Sequence, residues 1–115
     1  MECDLRKRIG TSSLVPVAGL GELPRGSKLG RRVAGARILL VNAESGIRAY
    51  EDRCGHRDVA LCDGTLEGRV LTCKAHEWRY DADTGCGIER PGVRLRSYPV
   101  RIEGARILVD IGGGR

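Results

Sequence analysis

The chain holds only two histidines, and both fall within CGHRDVALCDGTLEGRVLTCKAH, residues 54–76, each shortly after a cysteine. Cys54 and His56 make a C-x-H pair, Cys73 and His76 make a C-x-x-H pair, and residues 57–72 separate the two. Two thiolates and two imidazoles suit either a tetrahedral zinc ion or an iron-sulfur cluster. A short pair can direct both of its side chains to one centre, and Gly55 lets the backbone bend closely in the first loop. Between the pairs, DGTLEGRVLT has the punctuation of a strand pair that would bring both loops to one end of a hairpin. Three readings follow: small buried cysteines beside surface histidines, a structural zinc site, or a binuclear iron cluster. Zinc loops commonly pair like ligands in regularly spaced knuckles, whereas each loop here supplies one thiolate and one imidazole, which favours the cluster.

The elements that must hold these loops read as an all-β domain, with short apolar runs between Gly-containing turns. SLVPV makes a first strand, and Pro16, lacking an N–H, belongs at a sheet edge. SKLGRRV and ARILLVN flank Ala34-Gly35 as a hairpin, and GIRAYED follows the turn AESG. At the far end Tyr98, Val100 and Ile102 share one face and Arg101 and Glu103 the other. After a turn at Gly104, Ile107, Val109 and Ile111 again point one way, predicting a half-buried antiparallel hairpin. Val93 and Leu95 are apolar at odd positions and Tyr98 and Val100 at even ones, so a bulge or bend is predicted near Arg96 and Ser97. Residues 53–87 then read as an insertion carried by a β scaffold, where ligand residues are usually presented. No repeat and no amphipathic helix stands out.

Composition narrows the setting. A length of 115 residues suits one domain. With Phe absent and Trp78, Tyr50, Tyr80 and Tyr98 the only aromatics, the core must come mainly from Val, Leu, Ile and Ala. The five cysteines are an odd count and too sparse for a disulfide scaffold. MECDLRKRIGTSS lacks an apolar signal core, and no run approaches a membrane span, so a cytoplasmic chain with reduced thiols and no membrane partner is expected. The net charge of +5 is concentrated in Arg25, Lys28, Arg31, Arg32 and Arg37, and in Arg90, Arg94, Arg96, Arg101 and Arg106. Exposed aromatics for stacking on single strands are lacking apart from Tyr98, so solvated strand faces or a docking surface for an acidic partner are preferred to nucleic acid.

The motif CGH followed by CKAHEWRYDADTG resembles the ligand loops of Rieske [2Fe-2S] proteins. The likeness extends over about residues 14–111, including the closing YPVRIEGARILV. It implies an antiparallel β-sandwich with a smaller cluster-binding subdomain at about 53–87, flexible tails at 1–13 and 112–115, and one [2Fe-2S] cluster per chain. Cys54 and Cys73 would bind one iron, His56 and His76 the other. TCKAHEW looks most like the ferredoxins of toluene and alkene diiron monooxygenases. Respiratory Rieske proteins add a disulfide between the loops at positions that are Val59 and Ala75 here, so a lower-potential ferredoxin is implied.

That resemblance carries an electron carrier with it. Two ferric ions, two sulfides and two thiolates sum to no charge, so an electron enters more easily than in an all-cysteine cluster, and this chain is expected toward the bottom of the Rieske range of about −150 to +300 mV. The implied partners are an NAD(P)H-dependent reductase and a terminal oxygenase, served by a monomer with no catalytic residues of its own. A ferredoxin for an aromatic-ring dioxygenase or a nitrite reductase is the alternative within redox function, and a zinc-stabilised binding module the alternative outside it. Arg53, Arg57, Lys74 and Arg79, against Asp58 and Glu77, predict a modestly positive rim. Trp78 and Tyr80 are expected beneath or beside the cluster, Pro91 in a covering third loop, and Cys3, Cys62 and Cys86 in incidental roles.

Overall fold

Turns recur every few residues, and antiparallel pairing follows. The computed structural model describes residues 14–43, 46–53, 60–74, 78–89 and 92–112. Of the two expected tails, 1–13 and all of 112–115 except Gly112 lie outside the described residues. The strands are β1 Leu14–Gly19, β2 Lys28–Val33, β3 Ala36–Ala43, β4 Gly46–Glu51, β5 Thr65–Glu67, β6 Val70–Thr72, β7 Arg79–Asp81, β8 Ser97–Tyr98, β9 Val100–Glu103 and β10 Arg106–Asp110. They form three antiparallel sheets, ordered β1-β10-β9, β2-β3-β4-β8 and β5-β6-β7. Helix among the described residues is limited to 3-10 turns at Leu20–Glu22 and Leu61–Asp63.

The middle sheet is covered on both faces, and β3 shows why. Ile38 and Leu40 join Val17, Ala49, Tyr98, Ile107 and Val109 in a core shared with the sheet of β1, β10 and β9. Leu39, Val41 and Ala43 point the other way, into a core with Leu61, Leu71, Cys73, Tyr80 and Leu95 of the small-sheet region. A strand buried on both faces needs an unbroken apolar run, which ILLV supplies at 0% exposure throughout.

The predicted hairpins form. Ala34 and Gly35 both take positive φ, 51° and 82°, the type I′ turn that suits the strand twist. Pro16 sits on β1, an edge strand, beside a register shift between Pro16 and Ala18. The change of apolar parity that predicted a bulge or bend near Arg96 and Ser97 has another cause: Leu95 belongs to the small-sheet core and Tyr98 to the two-sheet core, so regular alternation, with Ser97 opposite Tyr50 and Tyr98 opposite Ala49, sends the two to opposite faces.

One expectation is corrected. Tyr98, Val100 and Ile102 do not line one hairpin strand. Tyr98 pairs with Ala49 in the middle sheet, whereas Val100 pairs with Val109 in the outer one. Pro99 separates them, its carbonyl accepting from Asp110 N–H at 3.0 Å. Ile102, on edge strand β9, remains 44% exposed.

Candidate metal centre

The small sheet is a frame for two loops. Gly68 takes φ 61° between β5 and β6, and Thr65 faces Thr72 at the open end of that hairpin. Beyond it, Gly64 lies so close to the second strand that a Cβ there would come 1.9 Å from the Thr72 carbonyl oxygen. The segment returning from the first loop, Ala60–Asp63, and the segment entering the second loop, at Cys73, therefore leave the hairpin at the same end. Each loop is also closed at its base. Cys62 N–H donates to Asp52 Oδ1 at 2.8 Å, tying together the two sides of the first. Cys73 N–H donates to the Trp78 carbonyl at 2.7 Å, tying the second.

Of the four candidate ligands, Cys73 is described, and it is fully buried among Leu71, Tyr80 and Leu61. Cys54, His56 and His76 lie outside the described residues, as do Val59, Ala75 and Pro91. Tyr80 is fully buried in the core under the loops, and Trp78 packs partly buried against it. Of the predicted rim, Arg53, Lys74 and Arg79 are exposed, but Arg79 pairs with Glu89, which trims the positive excess.

Residues that sequence reasoning passed over hold this frame to the middle sheet. Tyr50 Oη donates to the Ala82 carbonyl at 2.7 Å, Lys28 Nζ to the Cys62 carbonyl at 2.6 Å and Arg48 Nε to the Asp83 carbonyl at 3.2 Å. Burial pushes the Tyr50 hydroxyl well above the ordinary phenol value, which keeps it a neutral donor. The Cys62 thiol is pushed up to about 11, first by burial and then by its hydrogen bond to Asp52, so it stays protonated at neutral pH. Gly30 makes this docking possible: a Cβ there would meet Cys62 Sγ at 2.6 Å and Asp52 Oδ2 at 2.9 Å. An isolated glycine inside a strand was the available signal for such an approach.

A buried thiol at the foot of a closed loop, adjoining a second loop closed by its own hydrogen bond, fits a cluster held between two loops and shielded below by aromatic packing. The sequence profile described as the Rieske [2Fe-2S] domain matches residues 13–99. The chain belongs to the Rieske [2Fe-2S] domain family. The cofactor of that family is a [2Fe-2S] cluster. This Rieske chain is similar to the ferredoxin component of a naphthalene 1,2-dioxygenase system from Pseudomonas aeruginosa, at 35% identity over 88% of this chain and 98% of the relative. It is 44% identical, over 63% of this chain and 60% of the relative, to the ferredoxin component of an alkene monooxygenase system from Xanthobacter autotrophicus. Among solved structures, the ferredoxin of carbazole 1,9a-dioxygenase from Nocardioides aromaticivorans superposes with a TM-score of 0.74 at 29% identity, covering 84% of this chain and 96% of that one.

Proposed function

We propose that this Rieske chain is a ferredoxin that carries single electrons from an NAD(P)H-dependent reductase to a terminal oxygenase. In the finer reading the oxygenase is a diiron monooxygenase of alkenes or aromatic hydrocarbons, and the chain works in the cytoplasm. The observation that carries the proposal is the buried Cys73 at the mouth of a hairpin that gathers both loop bases, in a chain matched along nearly its whole length by ferredoxin components. Cys54 and Cys73 would hold one iron, and His56 and His76 the other, at the tip of a Rieske domain spanning residues 14–111, with 53–87 as its cluster-binding part. When bound, the cluster supplies one-electron redox chemistry. The chain's own part is to fix the loops: Asp52 clasps the first, the Trp78 carbonyl clasps the second, and Tyr80 excludes water beneath.

The 44% identity to an alkene monooxygenase component supports the monooxygenase reading, and the fuller coverage by naphthalene dioxygenase components supports a ring dioxygenase as the second. Electron transfer from the reduced protein to purified diiron hydroxylase and to purified ring dioxygenase separates them by rate. For the ferredoxin itself, metal and sulfide analysis should give two irons and two acid-labile sulfides per chain, with a rhombic electron paramagnetic resonance signal on reduction. His76→Cys should lower the potential wherever the cluster survives, because a thiolate adds negative charge. A colourless protein with one zinc would refute the proposal.

A further inference from the structure

The basic β2–β3 hairpin is built against the base of the first loop. Its register sets Arg32 directly opposite Arg37, Gly30 opposite Leu39 and Lys28 opposite Val41. Leu39 and Val41 face the small-sheet core, so Arg32 and Arg37 stand on that same side of the middle sheet. Arg31, one residue away, belongs to the other face, where it pairs with Glu22 and donates to the Val17 carbonyl at 3.5 Å. Glu22 therefore leaves the charge of the Arg32 face in place.

This face meets the loop directly. Arg37 donates to the Asp52 carbonyl at 3.1 Å, while Asp52 N–H donates to the Arg37 carbonyl at 2.9 Å. Arg53 follows, exposed, one residue before Cys54. A concavity of about 280 Å³ opens here, lined by Gly30, Arg31, Arg32, Arg37, Asp52, Ala60 and Cys62. Its one lining carboxylate, Asp52, is buried and already accepts from Cys62 N–H, and Asp63 is exposed nearby. Like charges set directly opposite each other on a strand pair repel, and two guanidinium groups beside a concavity make a local positive potential that attracts carboxylates. Guanidinium is also the group best shaped to grip a carboxylate with two parallel hydrogen bonds.

We propose that Arg32 and Arg37, extended by Arg53, form a docking patch for a carboxylate-bearing protein surface, the acidic face of the redox partner, and that the patch seats that partner beside the first ligand loop. The inference rests on the electron-carrier reading for the partner's identity. The patch itself rests on the register, the concavity and the charge. A protein surface is favoured over nucleic acid because no aromatic side chain lines the concavity for a base to stack on.

The test uses the holoprotein and a fluorescent hexaglutamate peptide, with binding followed by anisotropy at about 20 mM and about 300 mM salt. Wild type should bind at low salt and release the peptide at high salt. Arg32→Glu with Arg53→Glu should weaken binding by about tenfold or more, with the resonance signal of the reduced cluster unchanged. The control pair Arg101→Glu with Arg106→Glu, on the outer sheet, carries the same change in net charge and should bind nearly as wild type. Equal loss in both pairs, or tighter binding of a single-stranded oligonucleotide than of the peptide, would overturn the patch. Peptide binding needs no electron transfer, so a protein lacking iron would fail the redox reading while leaving this result to stand or fall alone.

Discussion

The two faces of β3 bury equally apolar side chains into cores of different kinds. On one face, Ile38 and Leu40 meet Val17, Ile107 and Val109, and all but Val17 are fully buried, in a core that is aliphatic apart from Tyr98. On the other, Leu39 and Val41 meet two buried tyrosines, Cys73 and the residues around a sheet whose strands are three residues long. Such short strands cannot bury enough surface to stand alone. They are fastened from the middle sheet by side chains bonding to main-chain groups far away in sequence: Tyr50 to Ala82, Lys28 to Cys62, Arg48 to Asp83 and Asp52 to Cys62. The scaffold is held by area. The small-sheet region is held by a few directional bonds, to which a bound metal centre would add, since metal binding and folding are coupled.

The largest test of that contrast truncates neighbours on β3. Leu39→Ala and Leu40→Ala each remove a fully buried leucine, and each should cost about 2–5 kcal/mol. Where the cost falls should differ. Leu40→Ala should lower the global unfolding midpoint with cluster loss coincident with unfolding. Leu39→Ala should release iron, followed by the decay of visible absorbance, at a temperature where the far-ultraviolet circular dichroism is still native. Identical behaviour of the two variants would show one cooperative core.

A smaller effect is expected from Tyr50→Phe, which keeps the ring and deletes the hydroxyl. The Ala82 carbonyl then loses its buried donor, at about 1–3 kcal/mol. Hydrogen exchange should speed up at Asp81 and Gly85, whose amides bond within the turn the hydroxyl fastens, and stay unchanged at Ile107 and Val109. Uniform acceleration across both regions would mean that Tyr50 stabilises the whole molecule and does not fasten one part.

The same contrast explains what the sequence discloses. The candidate ligands stood out because a metal site needs rare residues at short spacing, and of the four the structure describes Cys73 alone, fully buried. Hairpins were legible where the turn chemistry is local, as at Ala34-Gly35 and Gly68. The switch of sheets at Pro99 was not, because alternation tells which residues share a face but never which sheet owns the strand. Exposed Ile102 continues the Tyr98 pattern in sequence without continuing it in space. The fasteners were hidden for a related reason. Lys28 and Asp52 are single polar residues whose partner, Cys62, lies many residues downstream, and nothing in composition distinguishes them from solvated charges.

The smallest effect concerns Cys62, where the fastening of the two regions becomes sensitive to pH. Burial, the Asp52 hydrogen bond and the Asp52 and Asp63 charges favour the neutral thiol, against the opposing pull of Lys28, and set its value at about 11. An unfolded thiol ionises near pH 8.5. A folded value raised above the unfolded one means that the contribution is complete below about pH 8.5 and is lost as pH rises toward 11, because the unfolded chain releases its proton first. Cys62→Ala should remove that part of the alkaline slope. Denaturant midpoints for wild type and variant should therefore converge between pH 8 and pH 10.5, with the wild type losing more. Tyr50 titrates in both proteins and cancels in the difference. Parallel curves would mean that the thiol at this junction ionises as freely folded as unfolded, and that the Asp52 contact holds the loop through the Cys62 backbone alone.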